Sequence, residues 1–148
     1  MRNYTLANRA YCIRNPKGYK GYGKNSWGLT ASYSVDGYAA HSPENDLGVI
    51  SPTAALSSIV YTPEESMEVM RYLYNMGDKM FGPYGFYDAY SETENWFTQS
   101  YLAIDQGPIA VMIENYRSQL IWKLFMSHPD IQKGLDKLGF EWKRTSDS

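Results

Sequence analysis

The sequence predicts an all-α fold whose helices are joined by long loops rich in glycine and aromatic rings. Three observations carry that expectation. Apolar residues recur at helical spacing in several separate stretches. Between Pro16 and Gly48 the helical period is lost. That same stretch carries Gly18, Gly21, Gly23, Gly28, Gly37 and Gly48, interleaved with Tyr19, Tyr22, Trp27, Tyr33 and Tyr38. A structureless segment of this length inside a compact domain is uncommon and usually functional, and a flexible linker seldom holds so many rings.

Asn3 to Ile13 reads as the first helix, with Leu6, Ala10 and Ile13 on one face. Asn15-Pro16 stops it, because a residue before proline avoids the α region. Helical grammar returns at Ser51-Pro52-Thr53, where Ser51 suits a cap and Pro52 the first helical position, and the short run Ala54 to Ile59 follows. Thr62-Pro63-Glu64-Glu65 has the pattern of a capping box between Thr62 and Glu65. Met67, Met70 and Tyr74, with Val69, Leu73 and Met76, then form two neighbouring apolar rows that Gly77 closes. Gly82-Pro83-Tyr84-Gly85 is a turn, Phe86 to Tyr90 a short loop or strand, and Trp96 to Ile104 fits either strand or helix. Asp105-Gln106-Gly107-Pro108 starts the longest helix, Ile109 to Met126. Its opening residues, Ile109 to Ile113, are apolar all round, which predicts burial on every side. A last helix runs from Pro129 to Leu138, with Gly139 as its stop.

The composition is that of a globular chain: 148 residues, 43% hydrophobic, 20% charged, formal net charge −2. Near-neutral charge gives no electrostatic basis for binding nucleic acid or an anionic membrane. No apolar run reaches the roughly 20 residues of a membrane span, and no leader with a charged, apolar and small-residue pattern is visible. Cys12 is the single cysteine, which excludes an internal disulfide framework and a cysteine-based zinc site. No metal or cofactor is expected. The phosphate-loop, nucleophile-elbow and HExxH patterns are absent, and the glycines of Gly18 to Gly23 lack a preceding strand. His41 and His128 lie far apart and read as surface or capping residues.

Carboxylates are the remaining chemical resource. Asp105 sits at the head of an apolar helix, where it is either an anion favoured by the helix dipole or a site residue. Glu114 lies in the same helix three residues before Arg117, and a buried carboxylate there needs a partner, so Glu114 is either a site residue or, the reading favoured here, a structural ion-pair partner. Asp88, in Phe86-Tyr87-Asp88-Ala89-Tyr90, is either a loop cap or a sugar contact between rings. Aromatic rings are 16% of the chain. Such faces beside loop-borne carboxylates suit carbohydrate, whose hydrolysis needs two carboxyl groups across the bond.

Four ordered blocks then resemble the glycoamylase-like domain family of bacterial glycoside hydrolases, which includes endo-β-1,2-glucanases. They are Tyr22-Gly23-Lys24-Asn25-Ser26-Trp27-Gly28-Leu29-Thr30-Ala31-Ser32; Ile50 to Ser58 with Tyr61-Thr62-Pro63-Glu64-Glu65; Tyr84-Gly85-Phe86-Tyr87-Asp88-Ala89-Tyr90; and Ile104 to Ile109 running into Ile113-Glu114-Asn115-Tyr116-Arg117. The likeness runs from about Asn3 to Phe140. It implies part of an α/α toroid of six helical hairpins and an inverting hydrolysis of β-linked glucan, most naturally β-1,2-glucan. Asp105 matches the family's acidic position before the long helix, as general base or its water-positioning partner. Trp27, Tyr38, Tyr84, Tyr87 and Asp88 are the residues expected to line sugar subsites, and Glu114 with Arg117 to support the cleft wall. Tyr33 departs from the small acidic or polar residue common there, which makes the loop tip individual and leaves subsite specificity open.

The resemblance also implies that the other catalytic carboxylate lies upstream of the matched region. On that expectation residues 1–148 are the C-terminal portion of a single larger catalytic domain, with Met1 an internal methionine, since twelve helices of ~11–12 residues together with their loops exceed this length. Export to the periplasm or beyond, and a monomer at full length, are further expectations. Two alternatives to hydrolysis stay open: glucan transfer, as in the related domain of cyclic β-1,2-glucan synthases, and non-catalytic glucan binding.

Overall fold

A computed structural model describes residues 1–141. It contains six α-helices and three two-stranded antiparallel hairpins among the described residues. The all-α expectation therefore holds for the bulk of the structure and is corrected in the loops. The chain divides into two compact units, Met1–Ile113 and a second beginning at Glu114.

In the first unit, helix α1 (Arg2–Arg14) ends at Asn15, whose φ of 44° closes it in the left-handed region. Its inner face differs from the expected row of Leu6, Ala10 and Ile13. Tyr11 and Cys12 are buried instead, and Ile13 is exposed. The reason is a polar one: the Asn8 side-chain amide donates to Leu29 O at 2.9 Å and accepts from Leu29 N at 3.0 Å, rotating that face inward.

The glycine-rich stretch contains a hairpin, β1 (Ala31–Ser34) with β2 (Gly37–Ala40), in register Tyr33 opposite Tyr38. Gly37 follows Val35-Asp36 with φ +116°, a conformation that glycine adopts without a Cβ penalty. Helix α2 (Pro52–Leu56) starts as expected with Pro52 in its first turn. Helix α3 (Pro63–Asn75) starts and ends as expected, with Gly77 left-handed just beyond its C-cap. The capping box, however, is not formed. Thr62 Oγ1 bonds Ser58 O at 3.3 Å and Ser66 Oγ at 3.1 Å, because Thr62 is buried against the preceding turn.

Two small hairpins follow: β3 (Phe81–Gly82) with β4 (Gly85–Phe86), and β5 (Tyr90–Ser91) with β6 (Trp96–Phe97). Reciprocal backbone bonds between Ile50 and Tyr90, 2.9 and 3.0 Å, tie the last of these to the start of α2. The core gathers Tyr11, Cys12, Trp27, Leu29, Ile50, Leu56, Val69, Leu73, Met80, Phe86, Tyr90 and Ile109.

Helix α4 (Ala103–Ser118) begins two residues before Asp105. Ile109 is buried, but Val111 is exposed, so the expected all-round burial does not occur: no element among the described residues covers that face. The expected single long helix is also interrupted. Gln119 adopts φ 60°, and a separate helix α5 (Leu120–Ser127) follows in the second unit. There, helix α6 (Pro129–Lys137) is capped by His128, whose Nδ1 accepts from Asp130 N, in agreement with the capping role expected of that histidine.

Candidate active site

The first two blocks of the sequence meet where α2 begins. Ser51 N donates to Gly28 O at 3.0 Å, and Gly28 takes φ +134°. A Cβ at Gly28 would lie 2.9 Å from Ala54 Cβ and 3.0 Å from Ser51 O, so only glycine permits this approach. The head of α2 in turn holds the head of α4: Thr53 Oγ1 donates to the Asp105 carbonyl at 2.8 Å. Gln106 Nε2 adds a bond to Phe86 O at 2.9 Å, fixing α4 to the loop that carries Asp88.

Asp88 and Asp105 are thereby brought together, side chain against side chain in hydrogen-bond contact. Asp88 is 1% exposed and Asp105 8%. Tyr33 N donates to Asp88 Oδ2 at 2.9 Å, and Asp88 N is held by Ser100 O at 3.1 Å. Asp88 Oδ1 and Asp105 Oδ2 are buried with no N–H or O–H donor among the described residues. Burial first, and then the neighbouring Asp88 carboxylate, push the Asp105 carboxyl up to about 7. A carboxyl in that range gives up and takes back a proton near neutrality, as acid–base catalysis requires.

Contact between the two carboxyls also limits what they can do as a pair. Acid and base flanking a glycosidic bond stand roughly 6.5–9.5 Å apart in inverting enzymes and about 5–5.5 Å apart in retaining ones. Asp88 and Asp105 are too close for either arrangement.

Beyond Asp88 stands His41, 5% exposed rather than on the surface as expected. It lies beside the Tyr33 backbone and within electrostatic reach of Asp88 and Asp46, and burial holds it below its ordinary value, on the neutral side. Asp46, not singled out in the sequence, is a buried hub. It accepts from Tyr22 Oη at 2.6 Å, Tyr11 Oη at 3.0 Å and Gly48 N at 3.1 Å. The signal available for it was the cluster of tyrosines around an Asp-Leu-Gly turn, which sequence alone does not connect.

The expected sugar-lining residues separate. Tyr84 and Tyr38 are exposed, Tyr87 largely buried. Tyr84 and Tyr87 flank Tyr101, which the sequence did not single out, with ring centroids 5.6 and 5.2 Å from it. Gly82 lies beneath the hydroxyls of Tyr87 and Tyr101, where a Cβ would come within 2.5 Å of Tyr87 Oη. Tyr38 stands across the hairpin from Tyr33. Trp27 is a correction: it has no exposed surface and belongs to the core, so neither ring face is open to a sugar. In the second unit, Arg117 Nη1 and Glu114 Oε2 form the expected pair at 3.2 Å, but both side chains are well exposed. Such a pair contributes about 0–1 kcal/mol. No group of three or more His, Cys, Asp or Glu side chains with metal-binding geometry occurs among the described residues. No described helix is long and apolar enough to cross a membrane.

With that geometry in hand, comparison with known proteins gives a consistent family. Residues 1–129 match the Glycoamylase family model, described as "Putative glucoamylase", and the chain belongs to that family. It is 76% identical to a "putative glucoamylase" of known crystal structure from Bacteroides caccae ATCC 43185, with TM-score 0.92, covering 96% of this chain and 35% of that one. It is 69% identical to the endo-β-1,2-glucanase from Chitinophaga pinensis, solved as a sophorotriose and glucose complex, with TM-score 0.90, covering 93% of this chain and 34% of that one. The exo β-1,2-glucooligosaccharide sophorohydrolase (non-reducing end) of Parabacteroides distasonis is 49% identical over 134 residues, 88% of this chain and 19% of that protein. The chain thus spans about a third of the length of the crystal structures it matches and about a fifth of that sophorohydrolase.

Proposed function

We propose that this chain is part of the catalytic domain of a glycoside hydrolase acting on β-1,2-glucan, and that Asp105 is its general base. The observation that carries the role is the buried Asp105 carboxyl at the head of α4, raised to about 7 beside Asp88. The substrate class is supported by the two relatives named for β-1,2-glucan hydrolysis. In the inverting step, Asp105 takes one proton from a water. The water oxygen bonds to the anomeric carbon as the glycosidic C–O bond breaks, and the leaving oxygen takes a proton from a second carboxylic acid. Asp88 is too close to Asp105 to be that acid, so we place the acid in the larger domain that the relatives' length supports. In that domain the helices would form part of an α/α toroid. Tyr38, Tyr84 and Tyr87 would line sugar subsites. A polysaccharide substrate suits action in the periplasm or outside the cell.

The test uses the gene product that carries these residues, incubated with β-1,2-glucan while new reducing ends are measured. Asp105→Asn is expected to lower kcat by about 10²–10⁴-fold, the usual contribution of general acid–base catalysis. Near-full turnover by that variant would remove Asp105 from the mechanism. Absence of any activity on β-1,2-glucan, with activity on another glucan, would overturn the substrate assignment alone.

A further inference from the structure

We propose that Asp88 is a positioning residue for Asp105 rather than a sugar contact, fixing the Asp105 carboxyl in place and holding with it one shared proton. The inference rests on Asp105 being the base and deepens that reading.

Four observations lead to it. Asp88 is 1% exposed, which leaves almost no surface for a sugar hydroxyl to meet. Its carboxylate is anchored by a backbone donor, Tyr33 N at 2.9 Å, so its position depends on the β1–β2 hairpin and not on any ligand. Its own amide is held by Ser100 O at 3.1 Å, so side chain and backbone are both fixed. Its side chain meets that of Asp105 directly, and each of the two has a buried oxygen with no other donor among the described residues. Two carboxylates in contact repel strongly, and a single proton held by the pair relieves this. Asp105 is the more exposed of the two, 8% against 1%.

The catalytic consequence follows from the proton count. The form that acts as base is the pair without its proton, present above about pH 7. When Asp105 then removes a proton from the attacking water, that proton becomes the one shared between the carboxyls. Asp88 therefore makes Asp105 a better acceptor and prevents its carboxyl from rotating out of line. The titratable groups facing the pair are few. His41, at the end of the β1–β2 hairpin, reaches Asp88 electrostatically, with Asp46 behind it. The charge facing Asp105 is Asp88 itself.

The experiment compares Asp88→Asn, Asp88→Glu and Asp105→Asn with the wild-type gene product, reading kcat and KM on β-1,2-glucan from pH 4.5 to 9, and Tm over the same range. An asparagine at 88 still accepts from Tyr33 but donates to Asp105, which stabilises the Asp105 anion. Asp88→Asn is therefore expected to move the acidic limb of kcat/KM down by about one pH unit or more, with kcat lower by about tenfold and KM within about twofold. Asp88→Glu restores part of the loss, because the charge is kept and only its placement is altered. A rise in KM with the limb unmoved would make Asp88 a sugar contact and overturn the proposal. So would a limb at the wild-type position in a folded Asp88→Asn enzyme.

If Asp88→Asn does not fold, the Tm of Asp105→Asn decides the matter without any turnover. A shared proton predicts that its Tm advantage over wild type is smallest at the acidic end of the range and grows as pH rises to about 7. A constant offset would overturn the pair. The underlying reading fails differently: Asp105→Asn would then hydrolyse glucan at nearly the wild-type rate, whatever its Tm profile.

Discussion

Asp46 shows how much a single buried carboxylate can organise. It receives two phenol hydroxyls and an amide, from Tyr22, Tyr11 and Gly48, while its own carbonyl accepts from Lys17 Nζ and Tyr19 Oη, both at 2.9 Å. Burial and the hydrogen bond to Asp46 push the Tyr11 phenol up to about 12, and the Tyr22 phenol is raised further by the same causes, so both remain donors at any working pH. Replacing the acceptor strands the Gly48 amide and leaves the two phenols only longer contacts, Tyr11 Oη to Pro43 O at 3.4 Å and Tyr22 Oη to Val49 O at 3.5 Å. Asp46→Ala is expected to cost about 3 kcal/mol or more, whereas Tyr22→Phe removes one bond and costs about 1–2 kcal/mol. Urea unfolding of the two variants checks the order, and equal losses would show that Asp46 is not the hub. The same scale explains what could be foreseen at the site. Asp88 and Asp105 stood out because each carboxylate has a local signal, rings on either side or a helix head behind. Their mutual contact had none, since they stand 17 positions apart with the β5–β6 hairpin between them. The expectation of a surface His41 fails for a related reason: burial is a property of what packs over a residue, and the carboxylates His41 faces, Asp46 and Asp88, come from other segments of the chain.

At the scale of elements, positions were legible wherever local chemistry decides and were missed wherever a partner decides. Pro52, Pro63 and Gly77 marked helix ends correctly because φ restrictions act within one or two residues. The Thr62–Glu65 box failed because a buried threonine found a nearer partner in Ser66. The interruption of the last long helix is similar. Asn115, 1% exposed, presents Oδ1 to Trp122 N at 3.1 Å and its carbonyl to Gln119 N at 2.8 Å, so it caps α5 from within α4. Asn115→Ala is expected to destabilise α5 by about 1 kcal/mol, the worth of a lost cap, and amide exchange at Trp122 should accelerate more than exchange in α1. Equal protection in variant and wild type would refute the cap. Gly28 offers the complementary case, an element junction set by the absence of a side chain. Gly28→Ala must move Ala54 or the Ser51 carbonyl while holding φ +134°. A cost of about 2 kcal/mol or more is expected from strain of this kind together with overpacking, read as a drop in Tm. Because Thr53 and Asp105 hang from that junction, the same change should also lower kcat.

Across the whole molecule, two buried groups with opposite shifts set the response of stability to pH. Asp105 is raised to about 7 from an ordinary value near 4, so its folded form binds the proton more tightly than the unfolded chain. Its contribution is complete below about pH 4 and is lost as pH rises through about 7. His41 is lowered from 6.5, so its folded form binds the proton less tightly. Its contribution is present above about pH 6.5 and is lost as pH falls toward its folded value. Each can tilt the stability curve by at most about 1.4 kcal/mol per pH unit, in opposite directions over an overlapping window. The wild-type chain should therefore show a flatter Tm between pH 5 and 7 than either group alone would give. Removing one partner exposes the other. Asp105→Asn should become less stable as pH falls through this window, because only the His41 dependence is left. His41→Gln should become more stable as pH falls, because only the Asp105 dependence is left. The profiles of the two variants must cross relative to wild type when Tm is measured in matched ionic strength. Parallel profiles in all three proteins would mean that neither group titrates differently in the folded state, and the coupling of hairpin, Asp88 and Asp105 would then have no thermodynamic expression.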